Sequence, residues 1–530
     1  GEHARLAAGD GDSAEQAPLP LPVRRPVVRR SSGARRYLFI GAGVAIVALG
    51  ILIGRAIRGR TAADVDRNSP ARAVATNPKS IAVLPLANVS GDPSNEYLSD
   101  GLSDEIMGAL SKVPGLRVAS RTSAFAFKGK TLDAREIGKR LNVGTLLEGS
   151  MRRDGDQLRV SVQLTNVADN LALWTGNYER TMKDVFSVQD SISQAIVSSL
   201  ALKLTGPDSA RLTQRGTRHV NALDLYLKGR FAVNKNTEAD IRQGLSYYGQ
   251  ALAVDPGFAR AWAGVAYAWI ALADDYVAPR EGYPRAKTAA LSALRIDPEL
   301  AEARSALGAV HLWYEWDAKA AARELTQAMK LDSTNVYAYR YYGNLLKAMG
   351  RFDSALVVIR KAQQLEPLSP GRMNSIALMY ITFGRYDLAI QQARKALAID
   401  PEYDDAHLAI GNALLAEGKP ADAIVELSRA SKMGNRMRSG IASAEAARGH
   451  REAALAIVHA LEAEGQQHYV GPENFAAVYF ALGDRDRGFE WLEKAYQARS
   501  AYMALLRADR RWDSVRSDPR FAALVRRVGI

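Results

Sequence analysis

Apolar positions follow three successive patterns along this chain: one unbroken run, then short alternating stretches, then a long helical repeat. Between Arg36 and Arg55 lies YLFIGAGVAIVALGILIG, residues 37–54, without a single charge. As a helix it would span about 27 Å at about 1.5 Å per residue, enough for a bilayer core. The run is apolar all round, whereas a helix covering a soluble core keeps one polar face. It therefore predicts a single transmembrane helix. Residues 1–36, rich in Ala, Gly, Pro and Arg, have no apolar period and predict a basic linker, as do 55–79.

From 80 to 205 the pattern shortens. SIAVLPL (80–86), closed by Pro85, has the β-branched, apolar character of a buried strand. Leu98, Leu102, Ile106 and Leu110 then recur at helical spacing, with Asp100, Asp104 and Glu105 on other faces. LRVAS predicts a second strand and 132–141 a short helix. VGTLLEGSMRR, DQLRVSVQLTNVA and ALWTGNYERTM alternate as three strands, before a final helix over about 185–204. The order β-α-β-α-β-β-β-α describes a small α/β domain with a mixed sheet.

The phrases SIAVLPLANVSGDPSNEYLSDGLSDEIMGALSKVPGLRVASRTSAFAFKGK, LLEGSMRR, LALWTGNYER and VFSVQD resemble the TolB N-terminal-like domain over nearly all of 80–205. That resemblance implies a bacterial multidomain protein in which this domain sits between a signalling domain, a membrane helix and tetratricopeptide repeats. Catalytic motifs fail here on spacing. Gly129-Lys130-Thr131 suggests a phosphate-binding loop, but the required glycine is replaced by Ala124. Asp104 and Glu105 are sequence neighbours and point in different directions, so they are expected on a solvated helix face rather than as a catalytic pair. Arg121 and Lys128, flanking Phe125 and Phe127, are a candidate contact surface of this domain; an ordinary loop with its aromatics in the core is the competing expectation.

The remainder is periodic. Asp-Pro or Glu-Pro pairs at 255/256, 297/298, 366/367 and 400/401, with Asp332-Ser333 in place of one, are separated by 42, 35, 34 and 34 residues. This is the tetratricopeptide period. Gly229, Gly264, Gly308, Gly343, Ala377 and Gly411 in first helices, and Ala286, Ala321, Ala355, Ala389 and Ala423 in second helices, allow close helix approach. Gly350, Gly384, Gly418, Gly449 and Gly483 mark the turns within units. About eight units over 222–500 follow, starting near 222, 257, 301, 336, 370, 404, 435 and 469, with 501–530 as a polar-faced cap. The stretch resembles the tetratricopeptide family. Stacked pairs make a superhelix with a concave groove, and in the unit from 336 the groove positions are Tyr337, Arg340, Asn344 and Lys347. These can hold a carboxylate or backbone amides, although a solvated polar face would look the same. Tyr341 and Tyr342 are expected to pack between units.

Charge changes this picture little. Of the net +13, residues 1–80 hold 13 Lys/Arg against 6 Asp/Glu, a surplus of +7 bracketing the apolar run. No basic stripe interleaved with aromatics remains to track a phosphate backbone, so no nucleic acid partner is expected. The absence of cysteine excludes disulfides, thiolate metal sites and Cys nucleophiles. The seven histidines show no ligand spacing, and GxSxG, HRD and DFG are missing. No catalytic residue, metal or cofactor is therefore expected.

The predicted fold class is multidomain: a single transmembrane helix, a small α/β domain with a mixed sheet, then an all-α tetratricopeptide superhelical solenoid. The predicted function is a non-enzymatic, membrane-anchored scaffold or sensor. Its partners would be proteins or peptides in the groove and the lipid bilayer through 37–54. Arginine counts flanking the run place the N-terminus inside and the rest outside a bacterial inner (cytoplasmic) membrane, single-pass. The resemblance further implies an upstream serine/threonine kinase, winged-helix regulator or nucleotide cyclase; the alternative is an envelope assembly scaffold without signalling output.

Overall fold

The structure is a computed structural model that describes residues 79–212, 216–273, 275–431 and 434–530. Six strands form one mixed sheet: β1 (Ser80–Val83), β2 (Ala87–Asn88), β3 (Arg117–Val118), β4 (Thr145–Asp154), β5 (Gln157–Asn166) and β6 (Ala172–Thr181). The order is β3-β1-β4-β5-β6, with β1 parallel to β3 and β4, and β5 antiparallel to both β4 and β6. Pro85 explains why β1 and β2 are separate pieces along the same edge of β4. It has no N–H for the ladder, and the next amide, Leu86, donates instead to the Ser103 hydroxyl at 2.9 Å.

Helices α1 (Glu96–Leu110), α2 (Arg121–Phe125), α3 (Ala134–Leu141) and α4 (Val185–Ser199) complete this part. Leu98, Leu102, Ile106 and Leu110 of α1 are all buried. Its other face is covered too. Gly101 lies so close to the first repeat helix that a Cβ there would meet Leu227 at 2.7 Å. A continuous core runs from Ile81 through Leu164 and Ile192 to Leu227, Tyr248 and Phe258. The sheet part and the repeats accordingly form one compact unit.

Eight antiparallel helix pairs follow among the described residues, their first helices starting at Val220, Ala259, Ala301, Val336, Pro370, Asp404, Asn435 and Pro472. The acid-proline pairs end second helices. Asp255, Asp297 and Asp400 adopt extended backbone, as a residue before proline must, and close the helix behind them. Within unit 4, Gly350 sits at φ +71°, the left-handed conformation of a helix end. At Gly343 a Cβ would meet Ile359 at 2.5 Å, so the two helices of that unit touch only because the side chain is absent.

The array folds back on itself. Trp512, Val515, Phe521, Leu524 and Ile530 share one core cluster with Leu312, Trp316, Tyr341 and Leu345 of units 3 and 4. Arg280 of unit 2 donates to the Gln497 carbonyl of unit 8 at 2.9 Å, and Arg510 reaches the Thr382 carbonyl of unit 5 at 3.0 Å. The segment 501–530 thus lies against the middle of the array.

The predicted fold class needs correction, and the localisation falls with it. The architecture is a mostly helical tetratricopeptide-like solenoid with a small mixed-sheet domain. Among the described residues no helix is long and apolar enough to cross a membrane. The longest, Pro279–Ile296, has 18 residues but carries Arg280, Glu281, Arg285, Lys287 and Arg295. The expected transmembrane helix 37–54 and the linkers beside it lie outside the described residues. A single transmembrane helix and a single-pass inner-membrane placement are therefore not carried forward.

Candidate functional site

Asp104 and Glu105 are buried at the junction, not on a solvated face. Arg260 of unit 2 holds Glu105 through two 2.8 Å hydrogen bonds. Arg230 of unit 1 lies 3.1 Å from Asp104, and Arg121 donates to the same carboxylate at 2.7 Å. Burial works to raise the Glu105 carboxyl, but the Arg260 and Arg230 guanidiniums prevail and hold it below its ordinary value. The candidate contact residues Arg121 and Lys128 are both turned to α1. Arg121 also stacks on Phe125 at 3.9 Å, and Lys128 pairs with Asp100 and Glu96 at 2.5 and 2.6 Å.

Of the four groove candidates, the structure separates Lys347 from the others. Lys347 is only 7% exposed, beneath the C-terminal segment, where burial pushes its ammonium down to about 8 and the Asp509 carboxylate opposes that shift. Tyr337 is 47% exposed and Asn344 half-buried on the first helix of unit 4. Arg340 lies beside Tyr337, its guanidinium 4.5 Å from the Tyr341 ring centroid and 5.5 Å from that of Tyr337, and it donates to the Tyr341 hydroxyl at 2.7 Å. The Tyr337 ring also meets Tyr267 of unit 2 at 4.8 Å, so the concave side is tightly curved there.

Residues that spacing alone did not identify extend this surface. Arg372, on the first helix of unit 5, is 12% exposed at its side chain. Its Nε is 3.2 Å from the Glu366 carboxylate but off the hydrogen-bonding direction, and neither this N–H nor Nη1 has a partner. Burial lowers its affinity for a proton, and the neighbouring positive charge of Arg340 adds to this. Arg340 likewise keeps an unpartnered buried Nε. The Tyr403 hydroxyl approaches Gly371, where an added Cβ would meet it at 3.3 Å. Arg436 of unit 7 pairs with Asp405 at 3.2 Å and reaches Asp275 of unit 2 at 3.7 Å. Spacing gave no signal for Arg372: with units 4 and 5 starting at Val336 and Pro370, it stands where Ala338 stands in unit 4, and Asn374 where Arg340 stands.

Two guanidiniums with unfilled donors, set among tyrosines, can take an anionic, flat or extended group through charge-assisted hydrogen bonds. Among the described residues no group of three or more acids and histidines converges to hold a metal.

Residues 380–436 match the tetratricopeptide-repeat family. The chain is 39% identical over 195 residues to a protein of Rhizobium meliloti (strain 1021) named putative adenylate cyclase 3, covering 37% of this chain and 33% of that relative. It is 30% identical over 82 residues to small glutamine-rich tetratricopeptide repeat-containing protein 2 of Mycosarcoma maydis, covering 16% and 23%. The matched stretches thus span a third or less of these curated relatives. Among solved structures it is similar to Pseudomonas aeruginosa pilF, at 21% identity and a TM-score of 0.31 over 40% of this chain and 94% of that one. It is also similar to YrrB, described as a tetratricopeptide-repeat protein with an unusual peptide-binding site, at 23% identity and a TM-score of 0.23 over 34% and 90%. Repeat fold and matched family define a tetratricopeptide-containing protein-interaction scaffold joined to a small mixed-sheet domain.

Proposed function

We propose that this chain is a non-catalytic regulatory module that binds an acidic protein segment on the concave side of units 4 to 7. The observation that carries this reading is that three buried N–H groups, Nε of Arg340 and Nε and Nη1 of Arg372, make no hydrogen bond, Arg372 being held only by its 3.2 Å ion pair with Glu366. A buried donor without an acceptor costs about 1–3 kcal/mol, more when charged, and an incoming carboxylate removes that cost. Tyr337 supplies an exposed flat face beside them.

The output coupled to this module is, on the same reading, a nucleotide cyclase. The support is the similarity to the Rhizobium meliloti protein, and it favours a cyclase over the serine/threonine kinase that the domain resemblance also allows. The TolB-like character of the sheet part is the remaining element of the proposal. No specific observation favours an envelope assembly scaffold.

The test is made in the cell of origin. Arg340→Gln with Arg372→Gln at the native locus is expected to change the cyclic-nucleotide level while protein abundance stays constant. An unchanged level at constant abundance would overturn the regulatory part.

A further inference from the structure

At the junction of the sheet part and unit 1 lies a cleft of about 420 Å³, distinct from the concave side. Its walls come from two parts of the chain. Tyr97 and Arg153 belong to α1 and β4; Lys228, Phe231 and Tyr247 belong to the helices of unit 1, and Lys235 to the turn between them. The volume falls in the range of small-molecule sites, about 300–1,000 Å³, which favour domain junctions.

The charge on these walls is unbalanced. Lys235 pairs with Asp240 at 3.3 Å, and Lys228 with Asp224 at 2.8 Å, the acid that also accepts from the Tyr97 hydroxyl. Among the described residues Arg153 has no carboxylate at ion-pair distance, although its charge is felt by Asp92. It donates only to the Gly155 carbonyl at 3.0 Å and the Tyr97 hydroxyl at 3.3 Å. Tyr97 brings the cations together, since Lys228 lies 5.0 Å from its ring centroid while Arg153 touches its hydroxyl. Phe231 and Tyr247 are half-buried; Lys235 lies 5.3 Å from the Phe231 ring centroid, and among the described residues neither ring stacks on another.

We infer that this cleft binds a small organic anion carrying a flat ring, of nucleoside monophosphate size. The anionic group sits between Arg153 and Lys228, and the ring lies against Phe231 and Tyr247. Its chemistry is charge-assisted hydrogen bonding at one end and stacking at the other. Because Arg153 and Lys228 come from the two sides of the junction, the ligand ties the sheet part to unit 1. The inference does not depend on the concave-side proposal.

Thermal unfolding of the whole chain with adenosine 5′-monophosphate tests it, with adenosine and inorganic phosphate as separate arms. At a hundredfold excess over Kd the nucleotide is expected to raise Tm by about 3 °C. Adenosine alone and phosphate alone should give less than half of that shift. Arg153→Gln and Lys228→Gln should each abolish the shift measured against the same variant without nucleotide, and Tyr247→Ala should reduce it. Lys361→Gln, at an exposed site outside the cleft, should leave it intact. No shift with the nucleotide, an equal shift with phosphate alone, or a shift that survives both Arg153→Gln and Lys228→Gln overturns the proposal.

Discussion

Lys347 carries its ammonium into a nearly dry site, with the ordinary value of 10.5 pushed down to about 8. The sign of the linkage follows. Between about pH 8 and 10.5 the unfolded chain holds more protons than the fold at this residue, so stability rises with pH across that window. Asp509 keeps Arg511 as a second partner at 2.6 Å, so removing the lysine charge does not strand the carboxylate. Lys347→Met is expected to stabilise the protein by about 1–3 kcal/mol at pH 7, with the gain shrinking toward pH 10. Denaturant melts at the two pH values check this; a gain that does not vary with pH would contradict it. Gly343→Ala acts in the other direction. Its Cβ would meet Ile359 at 2.5 Å, and crowding of this kind costs about 1–3 kcal/mol in the same melts. Small residues at helix contacts were legible in the sequence because each recurs at a fixed place in the period. The burial of Lys347 was not, because what covers it begins more than 150 residues later.

At the scale of elements, α1 is the connection between sheet and repeats. Its apolar stripe was visible at helical spacing, but its acidic face suggested water. Local spacing cannot show that Arg230 and Arg260, more than 120 residues downstream, return to cover Asp104 and Glu105. Breaking a buried pair from one side leaves a charge without compensation, which costs about 3–5 kcal/mol. Arg260→Met is expected to destabilise by that amount, and Arg260→Met with Glu105→Met by clearly less. A double-mutant cycle in denaturant measures this coupling; equal losses in the single and double variants would deny it. The Glu105 contribution is present above the ordinary carboxyl range and is lost as pH falls through its lowered folded value. The repeat helices themselves were legible because acid-proline pairs and turn glycines punctuate them locally. The surroundings of Arg340 were legible only in part: that Tyr337 lies beside it follows from helical spacing, whereas Arg372 emerges as a neighbour only once units 4 and 5 are stacked.

Over the described residues, the repeat array closes on itself, and its concave side is bounded rather than open along its length. Trp512 and Phe521 lie in the core of units 3 and 4, and Glu366 of unit 4 accepts from Thr122 of α2 at 2.8 Å. Removal of 501–530 uncovers Leu312, Tyr341 and Leu345, and faster amide exchange over 301–348 with self-association is the expected result. Hydrogen exchange and light scattering would register it; unchanged protection would show the segment to be dispensable. Within this array Arg340 and Arg372 keep buried N–H groups without a hydrogen-bond acceptor, the feature on which the proposed acidic partner rests. The most direct measurement selects random peptides on the whole chain, then compares the affinity of the winners for wild type and for Arg340→Gln with Arg372→Gln. Winners enriched in Asp and Glu, bound at least about tenfold more weakly by the double variant and more weakly in higher salt, are predicted. Winners without acidic residues, or bound equally by both proteins, would contradict an acidic partner on this surface.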